Sequence, residues 1–226
     1  MKDIMPLIQA LFVGLLALFG IVITQSWTTR REYAKRRIEF AEEVLALFYE
    51  VRDALRFIRN PAGWVGEGST RPRGEHEIEA DSRILDMAYV VFERYKKQEA
   101  IFSNLRSKRY RFMAMFRCNS HEPFDAVNSA LNKVFVASQM LGSHYWQRQG
   151  RVDMEPAIFQ QHLSDMEAQE AIFWMIPDRD TITPVVDGAI KKIEVITDAA
   201  AKQYVHPFDW RERWKAFVAH KPQEQS

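Results

Sequence analysis

His162 and Asp165 lie three residues apart, and Glu167 and Glu170 repeat that spacing on a neighbouring face of one predicted helix. Side chains at i and i+3 share a helix face, so each pair offers two ligand atoms to a single ion. A carboxylate-bridged di-metal bundle needs Glu-x-x-His on two helices and further glutamates from the others. That pattern does not occur in the chain. Glu75-His76-Glu77 and His121-Glu122 are sequence neighbours, so on a helix they point in different directions. These groups read as solvated helix surface, and no metal or cofactor is expected.

The stretch Gly63-Trp64-Val65-Gly66-Glu67-Gly68-Ser69-Thr70 has the glycine density of a phosphate-cradling loop. A P-loop also needs a lysine before the Ser/Thr and a strand ahead of the loop. Gly68 stands in place of that lysine, and the residues before the loop are helical in pattern. A helix connection is the expectation, with Trp64, Arg71 and Arg73 as possible partner contacts. No Gly-x-Ser-x-Gly is present, and Cys118 is the lone cysteine. It excludes an intramolecular disulfide and suits a reducing compartment. No catalytic signature is found, so the expectation is a protein that is not an enzyme.

Arg106-Ser107-Lys108-Arg109-Tyr110-Arg111-Phe112 carries four basic residues and no acid, with Arg117 beyond. Aromatics interleaved with cations can stack on bases. Phe112 and Phe116, however, also fit a helical core stripe. The charge balance opposes nucleic acid too. Residues 1–37 hold six Lys or Arg against Asp3 and Glu32, a net +4, and residues 38–226 hold 25 basic and 28 acidic residues, a net −3. A nucleic-acid domain is generally basic, and this one is slightly acidic. Arg106, Lys108, Arg109 and Arg111 therefore read first as a solvated basic face, and as a candidate contact they suit an acidic protein surface or anionic lipid.

The elements that must position these residues begin with an anchor. Ile4 to Ile23 carries no charge, and Gln9 is its clearly polar residue. Twenty residues at 1.5 Å rise span roughly 30 Å, the thickness of a hydrocarbon core. A cleaved signal peptide has a shorter apolar run and a small-residue cleavage site, and neither is seen here. Trp27 sits where interfacial aromatics occur, and Arg30, Arg31, Lys35, Arg36 and Arg37 flank the C-terminal side. The positive-inside rule then predicts an N-terminus outside and the remainder cytoplasmic. Those basic residues can also meet anionic lipid headgroups. Ala10/Gly14 and Gly20/Thr24 form small-xxx-small pairs that allow two membrane helices to approach.

No glycine or proline occurs between Ile21 and Asn60, so the anchor is predicted to run without a break into the next helix, ending at Asn60-Pro61. Val44, Phe48, Val51, Leu55 and Ile58 form one apolar seam on it. Residues 61–74 are the clear loop. A second helix is expected from about Glu75, breaking near Ser107, with Ile84, Ala88, Val91, Tyr95, Phe102, Leu105, Phe112 and Phe116 as its stripe. Others start at Pro123 (Val127, Leu131, Val134, Leu141 inward), at Pro156 (Phe159, Leu163, Met166, Phe173) and at Pro184. The last has Thr183 as N-cap and is lined by Val186, Ile190, Ile193 and Tyr204. A short final helix carries Trp210, Trp214 and Phe217, and residues 221–226 read as a disordered tail.

The fold class predicted is all-α: residues 1–29 a transmembrane anchor, residues 30–220 a cytoplasmic bundle of four to six helices. The layout resembles that of many small bacterial inner-membrane proteins, which implies that location. The leading expectation is a membrane-tethered interaction or scaffold subunit, partnered by the bilayer and by another protein or by copies of itself. Two alternatives follow from the same features: a membrane-acting effector or stress or defence sensor, and an enzyme whose site lies inside the bundle.

Overall fold

A computed structural model describes residues 4–116, 120–148 and 155–205. Arg117, Cys118 and the segment holding Trp210, Trp214 and Phe217 lie outside the described residues, as does the Tyr204 side chain. Every regular element among the described residues is helical.

Helix α1 runs from Ile4 to Ile58, 55 residues without interruption. This agrees with the absence of helix breakers between Ile21 and Asn60. The chain divides into two compact units, residues 1–42 with 196–226 and residues 43–195. In the first unit, the large apolar side chains of α1 from Leu11 to Ile23 are 41–68% exposed. An 18-residue window there has a mean hydropathy of 1.8 with none of it buried. It is long and apolar enough to cross a membrane. Further along, Phe40 and Ala41 are buried, as are Thr197 and Ala200 on the last helix.

The second unit begins with the C-terminal part of α1. Val44, Phe48, Val51, Leu55 and Ile58 are all buried, as their spacing predicts. Each such side chain contributes about 1.5–3 kcal/mol relative to exposure. Helix α2 spans Glu79–Phe116, and α3 spans Glu122–Met140 and passes into a π-helical turn, Leu141–Tyr145. Trp146–Arg148 (α4) completes that rod, and α5 covers Pro156–Phe173. A 3₁₀ turn at Pro177–Arg179 leads to α6, Thr183–Val205. Helix α3 packs against both α2 and α5. Aromatic side chains knit the layers: Phe48 of α1 meets Phe124 of α3 edge-on at 5.1 Å, Phe92 of α2 stacks on Phe135 of α3 at 4.9 Å, and Trp146 meets Phe173 at 5.5 Å.

Four local expectations are corrected. Helix α2 starts at Glu79, not Glu75, because Arg71 and the Gly74 N–H hold the Glu77 carboxylate in the loop. It does not break at Ser107, whose hydroxyl folds back onto the Asn104 carbonyl at 2.7 Å while Phe102, Leu105 and Phe112 keep the stripe buried. Phe159 is 39% exposed rather than inward, since it lies in the first turn of α5. Thr183 is not the cap of α6. Asp180 takes that role, accepting from the N–H groups of Ile182 and Thr183 at 2.9 and 3.1 Å and from the Thr183 hydroxyl.

The π turn has a visible cause. Gly142 lies so near α2 that a Cβ there would sit 2.7 Å from the Ala88 Cβ. The adjacent Ser138 hydroxyl donates to the Ala88 carbonyl at 2.6 Å. This close approach pins the end of α3 to α2, and the register adjusts by one residue, as π turns allow.

Candidate functional site

The most elaborate polar construction among the described residues sits at the C-terminal end of α1. Two arginines there are buried, Arg59 at 1% and Arg94 at 0% exposure. A helix ends with unpaired carbonyls, and each guanidinium serves one such end. Arg94 of α2 donates to the carbonyls of Asn60 and Ala62 at 2.5 and 2.7 Å, with Phe57 and Ile58 at 3.4 Å. Arg59 donates to the carbonyls of Ala171, Ile172 and Trp174 where α5 ends, at 3.0, 2.8 and 3.0 Å. A carboxylate balances each charge: Glu67 for Arg94 at 2.6 Å, Asp180 for Arg59 at 2.8 Å. Through Asp180, the same cluster caps α6.

The electrostatics follow from these contacts. The Arg94 hydrogen bond holds the Glu67 carboxyl below its ordinary range, against the opposing push of burial. Burial pushes Asp180 up, but hydrogen bonds from Thr183 and Ile182 and the Arg59 charge outweigh it, and the carboxyl is held low. Burial lowers Arg59, with Asp180 acting in the other direction.

The loop after α1 is built on this junction. Glu93 of α2 accepts the N–H groups of Gly68 and Thr70 at 2.8 and 2.9 Å and the Thr70 hydroxyl. The donors that gave the loop its likeness to a phosphate cradle are thus occupied by the protein's own carboxylate. Gly66 and Gly68 have φ of 87° and 86°, a region favouring glycine. A Cβ on Gly68 would fall 1.9 Å from the Asp86 carbonyl oxygen. Arg71 pairs with Glu77 and, at 3.0 Å, with Asp86; Arg73 reaches Asp86 at 2.9 Å. Glu77 is drawn down from 4.5 to about 2, chiefly by the Arg71 hydrogen bond and then by that of Ser82. The loop so held displays two apolar side chains, Trp64 at 60% exposure and a fully exposed Val65. The Trp64 ring also lies over the Arg94 guanidinium at 5.7 Å.

The residues singled out in the sequence separate into distinct roles. Trp64 is displayed, while Arg71 is an internal strut and Arg73 an exposed partner of Asp86. Lys108 reaches Glu43 of α1 at 2.6 Å, Arg109 reaches Asp125 of α3 at 2.8 Å, and Arg106 donates to the Tyr95 hydroxyl at 3.3 Å. Arg111 and Tyr110 are exposed. Trp27, Arg30, Arg31, Lys35 and Arg36 are exposed on α1, and Arg37 is half-buried.

The carboxylates among the metal-ligand candidates are engaged elsewhere. Asp165 accepts from Gln161 at 2.8 Å, Glu167 pairs with Arg179, and Glu170 accepts the Trp146 indole N–H at 2.8 Å. His162 is buried against the Tyr145 ring at 5.3 Å. Among the described residues no three His, Cys, Asp or Glu side chains converge on a point.

The buried arginines are not among the residues that the sequence motifs single out. Their signal is spacing: Arg94 lies three residues after Val91 on the α2 stripe, and Arg59 lies four after Leu55 on the α1 seam. A cation at a core position implies acceptors waiting there.

Comparison with protein-family models, with curated proteins and with solved structures finds no match.

Proposed function

We propose that the chain is a single-pass membrane protein whose helical bundle serves as a tethered interaction subunit, holding a partner protein or further copies of itself at the bilayer. The observation that carries this is helix α1. From Leu11 to Ile23 it presents an exposed apolar surface, and the same unbroken helix supplies the core seam from Val44 to Ile58. An apolar surface of that extent greatly exceeds what a soluble monomer leaves in water, and hydrocarbon is the environment that removes its cost. The anchor is thereby part of the bundle's own framework.

The basic flank after Trp27 supports an N-terminus outside and a cytoplasmic bundle, and the layout fits a bacterial inner membrane. The partner surface we favour is the tip bearing Trp64 and Val65. A rigid, exposed aromatic beside an aliphatic residue is the type of anchor that dominates binding interfaces.

The test is threefold on the full chain. Expected results are resistance to alkaline carbonate extraction, labelling of a cysteine placed at Gln223 by an impermeant reagent only after the cytoplasmic face is opened, and a crosslinked partner or self-adduct at position 64 by mass spectrometry. A chain released by carbonate is not anchored. A monomer yielding no adduct overturns the interaction reading alone.

A further inference from the structure

We propose that Arg30, Arg31, Lys35 and Arg36 form a collar that binds the phosphates of anionic phospholipids, at a depth set by the hydroxyl-bearing turns just before it. This rests on the reading of α1 as a membrane span.

The first observation is the state of the polar residues between the apolar stretch and the collar. Thr24 donates to the Gly20 carbonyl at 2.8 Å, Ser26 to Ile23 at 2.9 Å, Thr28 to Thr24 at 3.0 Å and Thr29 to Gln25 at 2.9 Å. All four hydroxyls are satisfied by the helix itself. Their desolvation costs little, so the apolar region of the bilayer can rise along these turns, and the cations that follow meet the headgroups.

The second is distance. Arg30 lies seven residues beyond Ile23, roughly 10 Å along the axis at 1.5 Å per residue. The headgroup layer is about 5–7 Å thick on each side. Helical side chains lean toward the N-terminus, here toward the bilayer, which brings Arg30 and Arg31 to phosphate level. Lys35 and Arg36 follow one to two turns later, within about one Debye length of the charged surface.

The third is arrangement and availability. At about 100° per residue the four cations fall near 0°, 100°, 140° and 240° around the axis. They surround the helix and do not form one face. A helix lying flat in the interface would turn some of them away from lipid, whereas one crossing upright brings all four to the headgroups. Arg30, Arg31 and Arg36 make no ion pair or hydrogen bond among the described residues, and Lys35 has only Glu39 at 3.7 Å, both side chains more than half exposed. A second copy is a poor occupant for this surface, because two parallel collars would repel. Arginine and lysine matched by phosphate are the complementary chemistry.

The experiment places the full chain in nanodiscs by cell-free synthesis, so that charge does not select orientation. The discs hold phosphatidylcholine alone or with phosphatidylglycerol, and lipid retained on extraction into neutral detergent is quantified by mass spectrometry. Expected is enrichment of phosphatidylglycerol over its bulk fraction, falling by up to about five-fold for each cation changed to glutamine and lost in R30Q/R31Q/K35Q/R36Q. The charge-preserving R30K/R31K/R36K variant retains it. Equal retention of both lipids by a properly inserted wild-type chain overturns the collar while leaving the anchor intact. Enrichment unchanged in the glutamine variant also overturns it. Loss of the enrichment to inorganic phosphate at constant ionic strength would assign the site to soluble phosphate and overturn the lipid assignment. A chain that fails to enter either nanodisc overturns the anchor itself.

Discussion

Arg94 and Glu67, 27 residues apart, meet with Nη2 and Oε2 separated by 2.6 Å and side-chain exposures of 0% and 9%. The pair closes the end of α1: Arg94 also reaches the last carbonyls of that helix, and the other Glu67 oxygen accepts from Arg94 Nε at 3.1 Å. Removing one partner leaves a buried charge without its counter-charge, which costs about 3–5 kcal/mol. Arg94→Met is expected to lose that much stability and to free the loop, read by thermal unfolding of the detergent-solubilised chain and by hydrogen exchange over residues 61–78. Arg94→Lys keeps the charge but not the fork of donors, and should recover only part of the loss. Full stability in Arg94→Met would show that the junction is not a structural lock.

The two loop glycines are expected to differ. Both have positive φ, but a Cβ on Gly66 meets nothing within 4 Å while one on Gly68 meets the Asp86 carbonyl. Gly66→Ala should cost about 1 kcal/mol from backbone strain alone. Gly68→Ala should cost clearly more, because the loop must also leave α2 and break the Glu93 hydrogen bonds. Equal destabilisation of the two variants in denaturant titration contradicts this placement of the loop.

Acid should loosen the loop in a defined window. The Glu77 carboxyl is lowered from 4.5 to about 2 by Arg71 and Ser82. A group with a depressed folded pKa binds its proton more readily in the unfolded chain, so its contribution is complete above about 4.5 and fades as pH falls toward about 2. Tryptophan fluorescence and hydrogen exchange followed from pH 6 downward should show the wild-type loop losing protection across that range. Glu77→Gln should be less stable at neutral pH and show a smaller change on acidification.

Asp180 is predicted to be the second critical carboxylate. It balances Arg59 at 2.8 Å and caps α6. Asp180→Ala leaves a buried guanidinium without its counter-charge and an uncapped helix, with a loss of about 3–5 kcal/mol. Asp180→Asn keeps one acceptor oxygen for the cap and should lie between wild type and alanine in Tm.

The proposed membrane span has its own test. Leu16→Arg places a charge in the middle of the exposed apolar half of α1 and should disfavour insertion by about 2.5–3.5 kcal/mol. A glycosylation-based insertion assay reads the effect. Arginine at Gln25, near the interface, should be tolerated.

What was legible in the sequence is what depends on local pattern. Lack of glycine and proline from Ile21 to Asn60 let α1 continue unbroken past the apolar stretch, the 4-3-4-3 spacing from Val44 to Ile58 identified a buried seam, and prolines at 123, 156 and 184 marked helix starts within a residue or two. The exposed loop tryptophan was also visible, because the surrounding glycines and prolines exclude a helix. Local signals were misleading where a distant partner competed. Glu75 looked like a helix start, but Glu77 is claimed by Arg71. Thr183 looked like a cap, but Asp180 supplies a charged acceptor three residues earlier.

Helix α1 therefore follows from sequence by itself: its length, its apolar first half and its basic flank are properties of consecutive residues, and helical periodicity translates them directly into surface. The arginine junction was decided only by tertiary structure. Whether Arg59, Arg71, Arg94 or Lys108 meets a carboxylate depends on which acceptors the packed helices bring within about 3 Å, and residues such as Arg59 and Asp180, 121 apart in the chain, carry no local mark of one another. Burial selects the pairing, because a charge removed from water must find its partner or the helices cannot close around it.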